Sequence, residues 1–309
     1  MSAPIDLSVV VGSVASERSI RACIASIIES CAALRAEIIV VDSSTDDAAS
    51  LVRHHFPQVK LISLPADTLT PVLWSTGIAS ARGSRIATTT GHCVVSAAWA
   101  RELIAALDTG AAGAGGPIVL RSGASLVDRA IYFLRYSAFL PNAGEQIARV
   151  SEIAGDNAMY DRSIFDEHPS ALNEGFWEVE LHNTLRAKGN YLVMVQRAVA
   201  EFGDSFPLGM ISRHRFAHGR RYGEWRVRQR MSSTWKVALA APAVPFVLLQ
   251  RIGRRVMRSG SNRVGFILAS PVMFWLAACW AIGEAAGAIQ SRGKARRATT
   301  LEATSANRD

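Results

Sequence analysis

The side chains that could do chemistry in this chain fall in a few places. Asp42 closes the β-branched run E-I-I-V-V-D, and Asp46 lies in the turn S-S-T-D that follows. Carboxylates so placed can accept hydrogen bonds from N–H and hydroxyl groups of a ligand. The stretch Ile86 to Trp99, I-A-T-T-T-G-H-C-V-V-S-A-A-W, ends a buried strand in the small polar turn Thr90-Gly91-His92. In sheets built of strand-helix-strand units, ligands bind at such turns. Glu178 and Glu180 stand near the start of a helix, and Gly155-Asp156-Asn157 interrupts a short strand-like piece. Between Arg213 and Arg230 the chain is rich in arginine, which implies an anionic partner or surface; nucleic acid, acidic headgroups and sugar diphosphates all qualify.

The elements that must position these groups are legible as alternating periods. Asp6 to Gly12 is a β-branched run closed by a turn, and Ser16 to Ala33 reads as a helix with Ile20, Ile24, Ile27 and Ile28 on one stripe. Strands follow at Glu37 to Asp42, Val59 to Leu64 and Ile86 to Thr90, with helices at Asp47 to His55 and Trp74 to Ala81 between them. The alternation predicts an α/β fold with a mostly parallel sheet, whose strand ends bring Gly12, Asp42 and the Thr90-Gly91-His92 turn to one rim. Helices are expected at Trp99 to Leu107, Leu126 to Phe139 and Glu174 to Lys188, and strands at Pro117 to Arg121, Ile153 to Tyr160 and Tyr191 to Val195.

Composition narrows the class. With 309 residues, 49% of them hydrophobic, the chain can bury a sizeable core, and Lys+Arg 34 against Asp+Glu 26 makes it basic. Cys23, Cys31, Cys93 and Cys279 form no C-x-x-C pair and no zinc-finger spacing, so they are expected to be buried, reduced thiols of a cytosol-facing protein. The chain enters a strand by Leu7 without a basic and apolar leader, so no signal peptide is expected.

Taken in order over roughly the first 230 residues, L-S-V-V-V, E-I-I-V-V-D-S-S-T-D, G-I-A-S-A-R-G-S-R-I, the turn ending at Trp99, G-D-N-A-M-Y-D-R and W-E-V-E-L resemble a family 2 glycosyltransferase of the GT-A fold. The resemblance implies a nucleotide-binding sheet flanked by helices, with Asp42 and Asp46 as contacts to the nucleotide base and ribose and Gly12 on the same rim. Glu178 occupies the aspartate position of the family's G-E-D-x-E-L motif, the catalytic base of a direct, inverting displacement at the anomeric carbon. A base must reach the acceptor hydroxyl within hydrogen-bond distance. Glu180 reads as a helix-dipole carboxylate at the first turn with no catalytic part. Asp156, in the segment resembling the family's G-x-N, is a candidate contact to sugar hydroxyls.

The family's D-x-D motif should lie at Thr90-Gly91-His92, and both carboxylates are absent. Those carboxylates hold the Mg²⁺ or Mn²⁺ that bridges the donor diphosphate, so the departure puts a divalent metal in question. Gly91 can leave room for a phosphate, and His92 can bind Mn²⁺ or donate to phosphate, which would keep part of the motif's role. His218, Arg220 and Arg221 lie where family members close a basic, aromatic loop over the donor, and a glycine-bounded loop of arginines could neutralise the diphosphate. A juxtamembrane basic stretch drawn to anionic lipid is the plainer reading of the same charges.

Two apolar segments follow, Val237 to Ile252, interrupted by Pro242 and Pro245, and Val264 to Ile289, broken by Pro271. Arginines flank both on both sides, so either the segments lie shallowly in one leaflet or they form a hairpin with a basic outer loop. The expected organisation is a GT-A domain over 1–230, membrane-associated helices over 231–290 and a basic disordered tail over 291–309. The expected function is transfer of a sugar from a nucleotide diphosphate-sugar donor to a glycan or lipid-linked acceptor at the cytoplasmic membrane, with membrane lipids as partners and no nucleic acid. The rival is a non-catalytic scaffold of a polysaccharide assembly complex.

Overall fold

The computed structural model describes residues 4–66, 68–141, 144–203, 206–228, 233–259 and 262–305. Strands β1 (Leu7–Ser13), β2 (Ala36–Asp42), β3 (Lys60–Ser63) and β4 (Arg85–Thr90) alternate with helices α1 (Ile20–Ser30), α2 (Ala48–His55) and α3 (Thr70–Ser80). After β5 (Cys93–Val95) come α4 (Trp99–Leu107), β6 (Gly113–Gly115), β7 (Ile118–Leu120) and α5 (Leu126–Tyr136). Next are β8 (Ile147–Val150), β9 (Asn157–Asp161), α6 (Arg162–Glu167), α7 (Glu178–Ala187), β10 (Leu192–Val195) and β11 (Ala200–Phe202). The last helices are α8 (Leu208–Arg228), α9 (Thr234–Ala240), α10 (Val244–Ser259) and α11 (Arg263–Ser305).

The chain forms two compact units: Met1–Gly123 with Phe139–Asp204, and Ala124–Ala138 with Ser205–Asp309. The boundary expected at residue 230 is thus not where compactness changes. Helix α5 joins the second unit because its apolar face packs there, with Phe133 edge-on to Phe266 at 5.6 Å between ring centroids.

In the first unit the larger sheet runs β3-β2-β1-β4-β9-β6-β10-β8. Its first four strands are parallel, β9 runs antiparallel between β4 and β6, and β10 is parallel to β6. The mostly parallel α/β sheet expected from the alternation is therefore present. All of β1 is buried, as a strand covered on both faces requires. Gly77 lets α3 lie directly on β1: a Cβ there would stand 2.2 Å from Val10 Cγ1. A smaller sheet orders β5-β11-β7. Cys23, Cys31 and Cys93 are buried free thiols, and burial pushes Cys31 up to about 11. The register pairs Ser13 with Asp42 and Gly12 with Thr90, which brings the three strand ends to one rim.

The second unit departs from the expected reading at 214–226. Where the sequence suggests a loop, the chain is the helix α8, and its glycines serve packing. A Cβ at Gly219 would stand 2.1 Å from Trp280 O, and one at Gly223 2.1 Å from Glu284 O. In return, a Cβ at Gly283 would lie 2.1 Å from Phe216 O and one at Gly287 1.9 Å from Arg220 O. Glycines four apart on both helices let the two backbones touch. Arg226 of α8 pairs with the buried Glu284 of α11. Residues 229 and 230, the end of the arginine-rich stretch, lie outside the described residues, and so do 306–309; the tail expected to be disordered is helical to Ser305.

Two helical stretches, Thr234–Ser259 and Arg263–Ser291, are long and apolar enough to cross a membrane. Their surfaces carry exposed Trp235, Leu239, Phe246, Ile267, Leu268 and Trp275. The glycine seam makes a test: Gly223→Val should lower the unfolding free energy of the detergent-solubilised chain by about 3 kcal/mol, as overpacking does at its upper range. Denaturant unfolding reads this directly, and an unchanged midpoint would mean that the helices do not meet at Gly223.

Candidate active site

The rim of the larger sheet is organised by a buried carboxylate. Asp42 is 4% exposed. Its Oδ1 accepts from Ser13 Oγ and, at 2.7 Å, from Ser44 Oγ, while Ser44 N donates to Oδ2 at 3.2 Å. Ser44 Oγ in turn accepts from Ala15 N at 3.1 Å. Ala15 has φ +50°, a conformation that costs an L-residue energy and is held here by the turn around it. Asp46 sits one turn on. Its Oδ1 accepts from Ala48 N and its Oδ2 from Glu17 N, both at 3.1 Å, so it ties the first residue of α2 to the turn before α1.

At the end of β4 the structure corrects two expectations. His92 is 7% exposed, and both its ring nitrogens meet protein: Nε2 lies 2.8 Å from Val14 O and Nδ1 3.3 Å from Ser19 Oγ. A carbonyl only accepts, so Nε2 carries a proton and donates to Val14 O, while Nδ1 faces the Ser19 hydroxyl. The ring fastens the β1 turn to the start of α1 and presents no lone pair to a metal. Gly91 does not open room for a phosphate either, since a Cβ there would stand 2.7 Å from Ser16 Oγ. Gly12 is likewise covered, by Thr70 and Trp74. Among the described residues no group of three or more His, Cys, Asp or Glu is placed to hold a metal ion, and the Thr90-Gly91-His92 turn does not fit the divalent ion that a D-x-D motif holds.

Asp156 meets this turn from the neighbouring strand. It is 5% exposed, and its Oδ1 accepts from Thr90 Oγ1 at 3.1 Å. Thr88 and Thr89 donate to the carbonyls of Gly155 and Asp156 at 2.7 and 2.9 Å, which fixes the segment against β4. Asn157 is wholly structural: it accepts from Trp99 Nε1 at 2.7 Å and donates to Pro117 O and Ala198 O.

Glu178 is the first residue of α7. The preceding loop docks on α3 through Phe176 N to Pro71 O at 2.7 Å, and Gly175, at φ +101°, packs on the same backbone. The Glu178 carboxyl carbon consequently lies 3.2 Å from where a Gly155 Cβ would be, and the Trp74 ring lies 2.7 Å from the same point. Trp74 is anchored by Nε1 to Thr89 O at 2.8 Å. Beneath lie Tyr160, Phe165 and Phe176, edge to face with centroids 5.5 to 5.9 Å apart. Tyr160 OH is 2.8 Å from His182 Nε2, one turn after Glu178 on α7. Burial, and then the charge of Glu178, raise the Tyr160 hydroxyl well above its ordinary pKa.

The structure thus brings Gly12, Asp42, Asp46, Gly91, His92, Asp156 and Glu178 together in the first unit. His218, Arg220 and Arg221 belong to α8 of the second unit, on a helix and not on the expected loop; Arg220 and Arg221 are exposed and His218 is half-buried. The sequence reading passed over Ser13, Ser44, Trp74 and the Tyr160–His182 pair. Only Trp74 carries a signal, as the one large aromatic of the helix T-P-V-L-W-S-T-G-I-A-S.

Against known proteins, the profile of the family described as glycosyl transferase family 2 matches residues 8–168. No curated protein sequence matches. Among solved structures, a crystal structure of S. aureus TarS 1-349 resembles this chain at 11% identity and TM-score 0.49, over 87% of this chain and 70% of that one. Glu178 lies beyond the matched residues.

The buried pair under the site sets a pH dependence. His182 is held at about 4, below its ordinary 6.5, first by burial and then by Arg186. Its neutral ring therefore contributes stability that is fully present above pH 6.5 and is lost as pH falls toward 4, where the folded ring itself protonates. Thermal midpoints measured across that window should fall less steeply for His182→Gln than for the parent chain. Parallel curves would remove His182 as a contributor.

Proposed function

Because the chain belongs to glycosyl transferase family 2, we propose that it moves a sugar from a nucleotide diphosphate-sugar to a hydroxyl of a glycan or lipid-linked acceptor, with inversion, at the cytoplasmic face of a membrane. The observation that carries the reading is Glu178, held at the first turn of α7 beside Gly155 and Trp74. The N-terminal turn of a helix favours negative charge, and the fixed loop before it restricts where the carboxylate can point.

In this reading Glu178 takes the proton of the acceptor hydroxyl as its oxygen bonds to the anomeric carbon. The bond from that carbon to the diphosphate oxygen breaks on the opposite face, the nucleoside diphosphate leaves, and a single displacement inverts the centre. Asp42 and Asp46 are the proposed base and ribose contacts. Among the described residues Asp42 Oδ2 accepts from Ser44 N alone, and a carboxylate oxygen has two acceptor sites, which leaves one for a ligand N–H. Asp156, beside Thr90, is the proposed contact to sugar hydroxyls. The two long apolar helices support attachment to a membrane, and the buried free thiols accord with a reducing compartment.

The loss of both D-x-D carboxylates, with His92 locked into the turn, favours one other reading, a non-catalytic scaffold. Glu178→Gln decides the role of the base: transfer to a glycan acceptor should drop on the order of 10²–10⁴-fold, with nucleoside diphosphate affinity little changed. Undiminished turnover would remove Glu178 from that role. A parent chain that binds a nucleotide sugar but transfers nothing would favour the scaffold.

A further inference from the structure

Every exposed position of α11 between Val264 and Ile289 is apolar, Leu268, Trp275 and Ile282 among them. They recur at helical spacing over about 38 Å of helix. The opposite face, with Ala269, Met273, Leu276 and Ala281, is buried within its own unit. A bilayer's hydrocarbon is roughly 30 Å thick, so length alone would let α11 cross it. Its neighbours oppose this. Helix α8 lies along the second half of α11 and runs the same way, since Gly219 meets Trp280 and Gly223 meets Glu284. Trp275 Nε1 donates to Ser212 Oγ at 2.9 Å, which sets the exposed Arg213 beside the middle of the apolar stretch Arg263–Ser291, with the exposed Arg220 further along. Helix α10 runs the other way along the first half: the rings of Phe246 and Phe274 stand 5.0 Å apart, and a Cβ at Gly253 would lie 3.3 Å from Phe266 Cζ. Beyond Val247 its exposed side includes Arg251, Arg254, Arg255 and Arg258.

A crossing α11 would carry these arginines into the hydrocarbon with it, Arg213 to the midplane, where a charged side chain is costly. Laid along one leaflet, the same arrangement is favourable. The apolar stripe enters the acyl chains, and the long arginine side chains reach back to the headgroups. Between Leu208 and Ser291 no described acid is exposed, Glu284 being buried and Glu224 half-buried. Such a surface is complementary to anionic headgroups and repels a second copy of itself. We infer that the helical unit is an in-plane anchor: it docks on one anionic leaflet through the outward stripe of α11 and the exposed arginines of α8 and α10, and does not cross the bilayer. This rests on the membrane attachment proposed above and is independent of glycosyl transfer.

The test has two arms, both on the full chain. In the first, protein diluted from detergent is floated with phosphatidylcholine vesicles that contain or lack phosphatidylglycerol. Binding should require phosphatidylglycerol, weaken as salt rises, and fall about tenfold or more in Ile282→Glu. Ile282 is exposed, so the thermal midpoint in detergent should stay at the parent value. In the second, an impermeant maleimide is applied to sealed membrane vesicles of one orientation, from cells expressing Arg263→Cys or Gln290→Cys, with the parent chain giving the background of its own thiols. These two exposed residues bracket the stripe, and both should give the same result, reactive together or protected together. One thiol reactive and the other protected until detergent is added means that α11 crosses, which overturns the inference and leaves membrane attachment standing. Should Ile282→Glu split a dimer in light scattering without altering flotation, the stripe is a self-association surface and the inference is likewise overturned. A parent chain that floats with neither vesicle removes the attachment itself, and the inference with it.

Discussion

A buried carboxylate has to be met by donors, and the rim of the larger sheet is arranged around meeting one. Asp42 ends β2 inside the protein, where an unpaired charge would be costly. Its partners come from the end of β1, at Ser13, and from the turn after β2, at Ser44. The same turn is joined to β1 by Ser43 N to Ser13 O and to β3 by Leu64 N to Asp42 O. Ala15 is bent into the left-handed region because its N–H answers to Ser44. The ends of β1 and β2 and the entry to α1 are therefore tied together at this turn by the Asp42 carboxyl, Ser44 and the backbone, and the rim inherits that rigidity. Pre-organisation of this kind lowers the entropy lost when a ligand is ordered against it.

The histidine and the glycines of the neighbouring turn serve the same end. His92 joins the β1 turn to α1, and Gly91 is small because Ser16 lies against it. With the turn closed in this way, the acidic character of the site comes from Asp156, delivered by the antiparallel neighbour of β4, and from Glu178, delivered by α7. A Cβ at Gly155 would stand 2.7 Å from the Trp74 ring and 3.2 Å from the Glu178 carboxyl carbon.

How much of this the sequence disclosed follows from the physics of each element. The strands β1, β2 and β4 are legible because burial on both faces demands a continuous β-branched run. The strand β6 is not, since Gly113-Ala114-Gly115 has no period and is made of small residues for the sake of Tyr160 and Ile153 pressing on it. Helix α8 was hidden by its arginines and glycines, which suggest a loop until α11 is seen to fill the glycine grooves. Asp42, Asp156 and Glu178 stood out as carboxylates at strand and helix ends. Ser13 and Ser44 did not, because serine in a turn is common and only the fold shows which acid it serves. His92 was assigned by position alone, and its two hydrogen bonds to the chain could not be read from spacing.

The central claim is that a glycosyl transfer site is built on this rim by Asp42, Asp156 and Glu178, with a turn that does not fit a divalent ion. Calorimetric titration of nucleoside diphosphates into the detergent-purified chain, once with Mn²⁺ and once with chelator, tests it most directly. The account predicts binding of at least one nucleoside diphosphate with the same affinity in both conditions, weakened by Asp42→Ala. Strict dependence on Mn²⁺ would contradict it, since ligands other than those at the Thr90-Gly91-His92 turn would then have to hold the ion.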